Sequence, residues 1–396
     1  MSDLALHGGT PVRDRLLPYG RQSIGQDDID AVVEVLRSDW LTTGPAVRDF
    51  ETAFAAYVGA PEGVAVANGT AALHASAAVA GIGPESEVIV PALTFAASAN
   101  CVRYLGGTVV FADVRPDTLT VDSVAVQQLI SPRTRAIVAV DYAGQPADLD
   151  DLAALARAHD LVLIEDAAHA LGAVYRGRPV GALADLTTFS LHPVKHVTTG
   201  EGGVITTSRS EWASALRRFR NHGITSDHRQ RESAGSWFYE MVDLGFNYRI
   251  TDFQCALGAS QLRKQAGWLA ARRRIAEFYR SALGDLQEVE LPSVQSDRQS
   301  AWHLYPIRLN LDRLSGGRAD VFQALRAENI GVNVHYIPVP WHPYYQRLGY
   351  RRGAWPVAED AYERLISLPM FPAMTDHDIA DVCEAIRKVV GYFAAK

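Results

Sequence analysis

Cysteine is scarce in this chain, whose 396 residues include only Cys101, Cys255 and Cys383. The three are far apart and form no Cys-x-x-Cys pair, which argues against a disulfide framework and against a zinc site built on cysteines. We therefore expect reduced thiols, as in a protein of a reducing compartment. We also expect no metal site, because His335 and His342 have no acidic or cysteine partner nearby in the sequence.

Long apolar runs and basic blocks are missing as well. No apolar run approaches the roughly 20 residues of a membrane helix, and the first residues lack the basic start of a signal peptide. The formal net charge is −7, so a nucleic-acid partner is not expected. The glycine patterns that bind dinucleotides or nucleoside triphosphates are also absent. These absences predict a soluble, cytoplasmic protein that binds neither membranes nor nucleic acid.

Apolar residues, in contrast, make up 48% of the chain, enough for a large core. Short apolar segments alternate with helical patterns, which indicates an α/β fold with a mostly parallel sheet covered on both faces. The predicted strands of this sheet are 63–67, 88–91, 108–111, 136–140, 161–164, 186–191 and 203–207. The polar segment 224–236 is predicted to be a mobile loop.

A smaller α+β domain is predicted to follow the large one. Its expected strands are 303–310 and 332–336, and its expected helices are 319–328 and 376–393. The predicted organisation is an N-terminal arm, a large domain and a small domain, at 1–25, 26–285 and 286–396.

Two segments carry the chemistry. Residues 162–170 form an apolar run that ends in Glu165 and Asp166, and residues 190–203 hold Lys195 among small, hydroxylated and β-branched residues. A lysine amine that binds an aldehyde and a carboxylate that keeps a pyridine nitrogen protonated are what pyridoxal phosphate (PLP) requires. Taken singly, a loop lysine and a helix-capping aspartate are ordinary. Together, in this order, they predict a PLP enzyme.

The same segments carry a family resemblance. Asp-x-x-His at 166–169 and Ser-x-His-x-x-Lys at 190–195 resemble the DegT/StrS family of sugar aminotransferases, and the likeness extends from Tyr19 to about Phe393. It implies the type I (aspartate aminotransferase) fold, PLP as cofactor and a homodimer with shared active sites. Residues 38–45, 140–144 and 245–249 are most similar to the branch that transaminates a UDP-linked sugar in the pseudaminic acid pathway.

The predicted cofactor site lies beyond the carboxyl ends of the parallel strands. That rule places Thr70, Phe95, Asp141, Asp166 and Ser190 in one crevice. The turn before the helix that starts near Gly69 offers free N–H groups to a phosphate. The resemblance adds the remaining roles, including a phosphate ligand from the partner subunit. The full predicted set is Gly69, Thr70, Ala71, Phe95, Asp166, His169, Ser190, Lys195 and, from the partner, Asn247, with Lys195, Asp166 and His169 as the catalytic residues.

The substrate side is less defined by local patterns. Arg249 has the planar fork that binds phosphates or carboxylates, but it is equally explained as a loop residue. Phe95 and His169 also have ordinary explanations, as a core aromatic and a polar residue at a helix start. The resemblance implies that the N-terminal arm and the segment near 335 border the substrate. The predicted substrate contacts are Tyr19, Arg21, Tyr142, Arg249, His335 and Tyr336.

The predicted reaction moves an amino group from an amino acid, L-glutamate, to C4 of a nucleotide-linked 4-keto-6-deoxy sugar, UDP-linked. A 3-keto sugar, a dTDP-linked sugar or a keto-cyclitol remains an alternative. In the dehydratase branch of the family a histidine replaces the lysine, and this chain has Lys195. A non-enzymatic regulator would need a DNA-binding module, and the sequence shows none.

Overall fold

The computed structural model describes residues 3–395, apart from the side chain of His228. The strands are β1 (Glu62–Val66), β2 (Glu87–Pro91), β3 (Thr108–Ala112), β4 (Thr134–Val140), β5 (Val162–Asp166), β6 (Val174–Tyr175), β7 (Arg178–Pro179), β8 (Leu186–Ser190), β9 (Gly203–Thr207), β10 (Val289–Glu290), β11 (Arg298–Gln299), β12 (Tyr305–Leu309) and β13 (Leu365–Leu368). The α-helices are α1 (Gln26–Leu36), α2 (Pro45–Val58), α3 (Gly69–Val79), α4 (Ala97–Tyr104), α5 (Ser123–Leu129), α6 (Leu149–Ala158), α7 (Ser210–Phe219), α8 (His228–Ser233), α9 (Asp252–Leu262), α10 (Gln265–Leu283), α11 (Arg318–Ala327), α12 (Pro343–Arg347), α13 (Pro356–Arg364) and α14 (Asp376–Phe393). Within this described part, no helix is both long and apolar enough to cross a membrane.

A seven-stranded sheet in the order β1-β9-β8-β5-β4-β2-β3 forms the centre of the molecule. Strand β9 is antiparallel to both of its neighbours, and the other strands share one direction. Alternate residues enter separate cores on the two faces, as Val138 and Ile137 of β4 do. Each predicted strand of this sheet is present within two residues of its expected bounds. The prediction of a mostly parallel α/β sheet is confirmed.

The C-terminal part has its own core. Strands β10, β12 and β13 form an antiparallel sheet, against which α11 and α14 pack. The N-terminal segment joins this core through the fully buried Leu4 and through Leu17, which is paired with Ile330. Helix α10 contributes to both sides, since Leu269 packs with the large-sheet helices and Leu283 with the C-terminal core. The three-part division of the chain stays a prediction.

Two local predictions are wrong. Residues 332–336 do not form a strand, because only Asn333 makes a bridge, to Ser367, and the Asn333 side chain accepts the N–H of Val334. The central strand β12 pairs with β10 on one side and with β13 on the other, and the sequence pattern did not reveal β13. Segment 224–236 contains helix α8, which begins with a capping box between Asp227 and Gln230.

Candidate functional site

A cleft of about 610 Å³ opens beyond the carboxyl ends of the parallel strands. Its floor comes from the ends of β5 and β8 and from the start of α3, and its outer wall comes from residues 333–336. The structure brings most of the predicted cofactor residues together here. The predicted residues that line the cleft are Tyr19, Gly69, Thr70, Phe95, Asp166, His169, Ser190, Lys195, His335 and Tyr336.

Asp166, the last residue of β5, is held in place from two sides. Ser98 Oγ donates to its Oδ2 at 2.6 Å, and the Ala168 N–H donates to its Oδ1 at 3.2 Å. The hydroxyls of Ser98 and Thr94 are 2.8 Å apart. Burial raises the pKa of the Asp166 carboxyl, and the two hydrogen bonds act against that rise. A cationic ring nitrogen against Asp166 would lower the pKa again, which suits the pyridinium of PLP.

Ser98 was not singled out from the sequence, although it is fully buried and contacts the key carboxylate. The sequence feature that could have indicated Ser98 is the pair of hydroxyl residues Thr94 and Ser98, which lie four residues apart just after β2. Hydroxyls with that spacing lie near each other at a helix start, and β2 ends at the same sheet edge as β5.

Lys195 lies in the connection between β8 and β9, in a turn where its N–H donates to the His192 carbonyl at 2.9 Å. Burial lowers the pKa of its amine to about 8, while the charge of Asp166 acts in the opposite direction. Within residues 3–395 the amine makes no hydrogen bond. At pH 7 an amine with a pKa of about 8 is uncharged in roughly a tenth of molecules, far more often than an ordinary lysine amine, and only the uncharged form is a nucleophile.

His169 is buried beside Lys195. Its Nε2 is 3.0 Å from the Tyr336 hydroxyl, its ring lies 4.3 Å from that of His303, and its Nδ1 has no partner among the described residues. Burial, and secondly the charge of Lys195, lowers the pKa of His169 well below its ordinary value. Burial lowers the pKa of His303 in the same way. The imidazoles around the amine are therefore neutral, and they leave the anionic Asp166 as the charge that faces it.

The start of helix α3, where the phosphate is predicted to bind, has free N–H groups. Its N-cap, Asn68, accepts the Ala71 N–H at 2.8 Å, and the N–H groups of Gly69 and Thr70 have no intrahelical partner. Ser190 lies directly against this turn, since a Cβ on Gly69 would come within 2.9 Å of the Ser190 Cβ. A glycine is needed there for the hydroxyl and the helix start to meet. The predicted use of Ala71 as a phosphate donor is not supported, because Asn68 already takes its N–H.

Besides Ala71, four predicted residues are absent from the lining of the cleft. Tyr142 is 2% exposed, and its hydroxyl donates to the carbonyl of His335, so it supports the cleft wall from behind. Arg21 is exposed on the N-terminal segment, and Arg249 lines a different cleft. Asn247 is exposed, as a residue that reaches a partner subunit would be.

Asp141 does not reach the crevice either, and instead forms a buried carboxyl pair with Glu165. Both are fully buried, and the oxygens Asp141 Oδ2 and Glu165 Oε1 have no hydrogen-bond partner in the described part of the chain. The other two oxygens accept from the Ala147 N–H at 2.9 Å and from the Thr187 hydroxyl at 2.8 Å. Burial, and secondly the charge of Glu165, raises the pKa of Asp141, while burial raises that of Glu165 to about 7. One shared proton satisfies both open oxygens.

The site fits PLP in each of its functional parts. Lys195 matches the aldehyde, Asp166 matches the ring nitrogen, and Gly69, Thr70 and Ser190 match the phosphate. Fold and site together define a PLP-dependent enzyme of fold type I. Residues 22–387 match the model of the DegT/DnrJ/EryC1/StrS aminotransferase family, and the chain belongs to this family. It is therefore a PLP-dependent sugar aminotransferase.

Individual relatives agree with this assignment. The chain is 41% identical to the spore coat polysaccharide biosynthesis protein SpsC of Bacillus subtilis over 96% of this chain and 98% of SpsC. It resembles Spr1654 of Streptococcus pneumoniae in its PLP form, with 31% identity and a TM-score of 0.89 over 95% and 99% of the two chains. It also resembles Helicobacter pylori PseC, an aminotransferase involved in the biosynthesis of pseudoaminic acid, with 30% identity and a TM-score of 0.89 over 96% and 100%.

Proposed function

We propose that this aminotransferase moves the amino group of L-glutamate to C4 of a UDP-linked 4-keto-6-deoxy sugar. The proposed reaction is that of UDP-4-amino-4,6-dideoxy-N-acetyl-β-L-altrosamine transaminase, in the direction that forms the amino sugar. The observation that carries the amino transfer is the free amine of Lys195 beside Asp166 in one cleft. The sugar assignment is supported by the similarity of residues 140–144, 192–195 and 245–249 to that branch and by the likeness to PseC.

Different residues of this chain have different roles in the proposed reaction. PLP, when bound, supplies an aldehyde and an electron-withdrawing ring. Lys195 Nζ takes a proton from the substrate carbon that bears nitrogen and later returns one, as its lowered pKa permits. Asp166 holds the proton on the ring nitrogen, and Ser98 holds Asp166 in position. Phe95, which is 58% exposed in the cleft, offers its face to the ring.

The keto sugar would lie against the outer wall of the cleft. Tyr336 is fixed there by its bond to His169, and His335 is fixed by the 2.8 Å bond between its Nδ1 and Ser367 Oγ. Tyr19 packs on the His335 ring at 5.5 Å, so the N-terminal segment closes one side. Rigid polar and aromatic groups of this kind orient a substrate without changing shape themselves.

We also propose that the working unit is a cytoplasmic homodimer. The segment before Asn247 exposes a run of large apolar side chains that a monomer would leave in water. Its most exposed members are Trp237, Met241 and Leu244, at 85%, 66% and 79%. A second copy of the chain would cover this segment and would bring Asn247 to the cofactor phosphate of its partner.

The function is tested by incubating holoenzyme and glutamate with UDP- and dTDP-linked 3-keto and 4-keto sugars and with a keto-cyclitol, with products identified by mass. We expect amination of the UDP-linked 4-keto-6-deoxy sugar and no product with Lys195→Ala. Amination of only a 3-keto sugar or the cyclitol would refute the sugar assignment, and a preference for dTDP would refute the nucleotide. The amino donor is tested by replacing glutamate with other amino acids.

A further inference from the structure

A second cleft, of about 660 Å³, has six arginines in its lining. It lies between the start of α2, helix α7 and the segment that contains α8. The ionisable residues of its lining include two acids, Glu51 and Asp227. The arginines of its lining are Arg48, Arg217, Arg218, Arg220, Arg229 and Arg249. The cleft therefore has an excess of positive charge, in a chain whose net charge is −7.

Part of this charge is neutralised within the protein. Glu51 pairs with Arg220 and lies 3.8 Å from Arg217, which is also 3.1 Å from Glu62. Arg218 lies 3.7 Å from Asp243. These pairs hold the two arginines of α7 and the adjacent Arg220 in place. A structural role as ion-pair partners therefore explains these three arginines.

Three arginines remain without a carboxylate. Within residues 3–395, no ion pair with an acid is formed by Arg48, Arg229 or Arg249. Arg249 is positioned by Asn221, to whose Oδ1 it donates at 2.8 Å, and Arg229 lies over the Trp40 ring at 5.4 Å. Arg229 and Arg249 are thus held at the cleft without a counter-charge, and Arg48 is exposed at the same cleft. Positive groups gathered in this way attract an anion.

The chemistry of the three guanidinium groups indicates which kind of anion would bind. A guanidinium presents paired N–H donors that match the oxygens of a phosphate. Several such groups around one cavity suit a ligand with several charged oxygens, and a diphosphate provides them. The volume lies within the range of sites for small ligands of nucleotide size. The Trp40 ring beneath Arg229 adds a flat apolar surface at the edge of the cleft.

The arginine cleft adjoins the segment that we assign to the shared active site. Its lining residue Asn221 pairs with Asn247 in a β-bridge, and Arg249 follows Asn247 by two positions. If Asn247 reaches the cofactor phosphate of the partner, the arginine cleft lies beside the partner's substrate.

We propose that the arginine cleft binds the nucleoside diphosphate of the sugar substrate through Arg48, Arg229 and Arg249. This inference rests on the proposed nucleotide-sugar substrate. The cleft holds the charged half of the substrate, which leaves the keto carbon for the cleft that contains Lys195. Because guanidinium groups contact phosphate oxygens, binding depends on the diphosphate more than on the base.

The test measures UDP binding to the holoenzyme by calorimetry in low and in physiological salt. We expect the double variant Arg48→Gln/Arg229→Gln to weaken the Kd for UDP by about tenfold or more, as the loss of two charge-assisted contacts implies. Arg229→Lys, which keeps the charge, should recover part of the affinity. The matched control is Arg135→Gln, since Arg135 is exposed, distant from the cleft and bonded only to carbonyls. Uridine, which has no phosphate, should bind weakly to every variant.

An unchanged Kd for UDP in the double variant, or no UDP binding to the wild type, would overturn the inference. Failure of the proposed function gives a different result, in which UDP binding depends on the arginines but no keto sugar is aminated. The glutamate half-reaction, followed by cofactor absorbance, should be equal in the double variant and the wild type. Its loss would show that the substitutions disturbed the cofactor site, and would count against a separate diphosphate site.

Discussion

At the end of β5, Glu165 and Asp166 are neighbours in sequence with opposite roles. Their side chains point to opposite faces of the sheet, because consecutive strand residues alternate. Asp166 faces the cleft and is bonded by Ser98, whereas Glu165 faces the interior and pairs with Asp141. The environment of each carboxyl, and not its type, decides whether it faces the cleft, where we propose the cofactor binds, or holds a structural proton.

The role of Ser98 is testable by Ser98→Ala. The substitution removes a hydrogen bond to a buried carboxylate, and bonds of this kind contribute about 1.5–3 kcal/mol. We expect PLP to bind roughly tenfold more weakly or worse, as measured by equilibrium dialysis, and the pKa seen in the cofactor absorbance to shift. Ser76→Ala is the control, because Ser76 is also fully buried and its hydroxyl has no partner in the described residues. Equal PLP affinity in the two variants would contradict a positioning role for Ser98.

The shared proton of Asp141 and Glu165 predicts a pH dependence of stability. The raised pKa of Asp141 means that the folded chain keeps a proton which the unfolded chain releases above about pH 4. Stability from this group is thus present at low pH and is lost as pH rises toward the folded pKa, by up to about 1.4 kcal/mol per pH unit. Asp141→Asn keeps a donor to Glu165 and removes this dependence.

This pH dependence of stability is measured by urea unfolding of the apoprotein from pH 5 to pH 8. Relative to Asp141→Asn, the wild type should lose stability as the pH rises from about 5 toward the folded pKa of Asp141. Comparison with the variant cancels the opposite contribution of the buried histidines, whose lowered pKa values favour high pH. Parallel pH curves for the two proteins would exclude the shared proton.

At the scale of elements, one side chain connects two helices. Asp252, the first residue of α9, accepts the N–H groups of Gly44 and Ala46 at the start of α2, at 2.7 and 3.0 Å. A carboxylate at a helix N-terminus satisfies free donors and complements the helix dipole. A Cβ on Gly44 would lie 2.4 Å from Asp252 Oδ1, so the contact requires glycine.

We expect Asp252→Ala to destabilise the protein by about 2–4 kcal/mol, because it leaves buried N–H groups without a partner and removes a helix cap. Asp252→Asn, which retains one acceptor, should cost less. Thermal unfolding measures both. Asp49→Ala is the matched control, since Asp49 lies exposed on α2, the helix whose start Asp252 caps. A control variant as unstable as Asp252→Ala would refute the capping role.

At the scale of the molecule, the site needs more than one chain if Asn247 acts in the partner. The cleft contains Lys195 and Asp166 but not Asn247, which follows the exposed apolar segment with Trp237 and Leu244. Burying such a segment against a second copy would stabilise both chains and complete two equivalent sites.

Mixed dimers test this arrangement. Lys195→Ala and Asn247→Ala should each be nearly inactive, and a hybrid of the two contains one site with both native residues. Co-refolded mixtures should therefore regain up to about a quarter of wild-type activity, since random pairing makes half of the dimers hybrid. Absence of recovery, with hybrids shown by differential tags, would place Asn247 in its own subunit's site or outside it.

Much of this organisation follows from local sequence. Strand positions are predictable because buried parallel strands are short apolar runs. The predicted cofactor residues Asp166, Ser190 and Lys195 follow such runs at the same sheet edge. The prediction of a strand at 332–336 was wrong because the Asn333 side chain accepts the N–H of Val334. Such a side-chain bond competes with strand pairing, and the alternation of apolar residues does not reveal it.

The sequence by itself determined the strand series and the class of cofactor, and it predicted the amine and carboxylate that we propose hold it, because each depends on residues close together in the chain. Tertiary structure alone decided that Ser98 bonds Asp166 across 68 positions, that Tyr142 supports the wall from behind, and that arginines from α2, α7 and Arg249 share one cleft. These depend on strand order and helix packing, which set the distances between residues far apart in sequence.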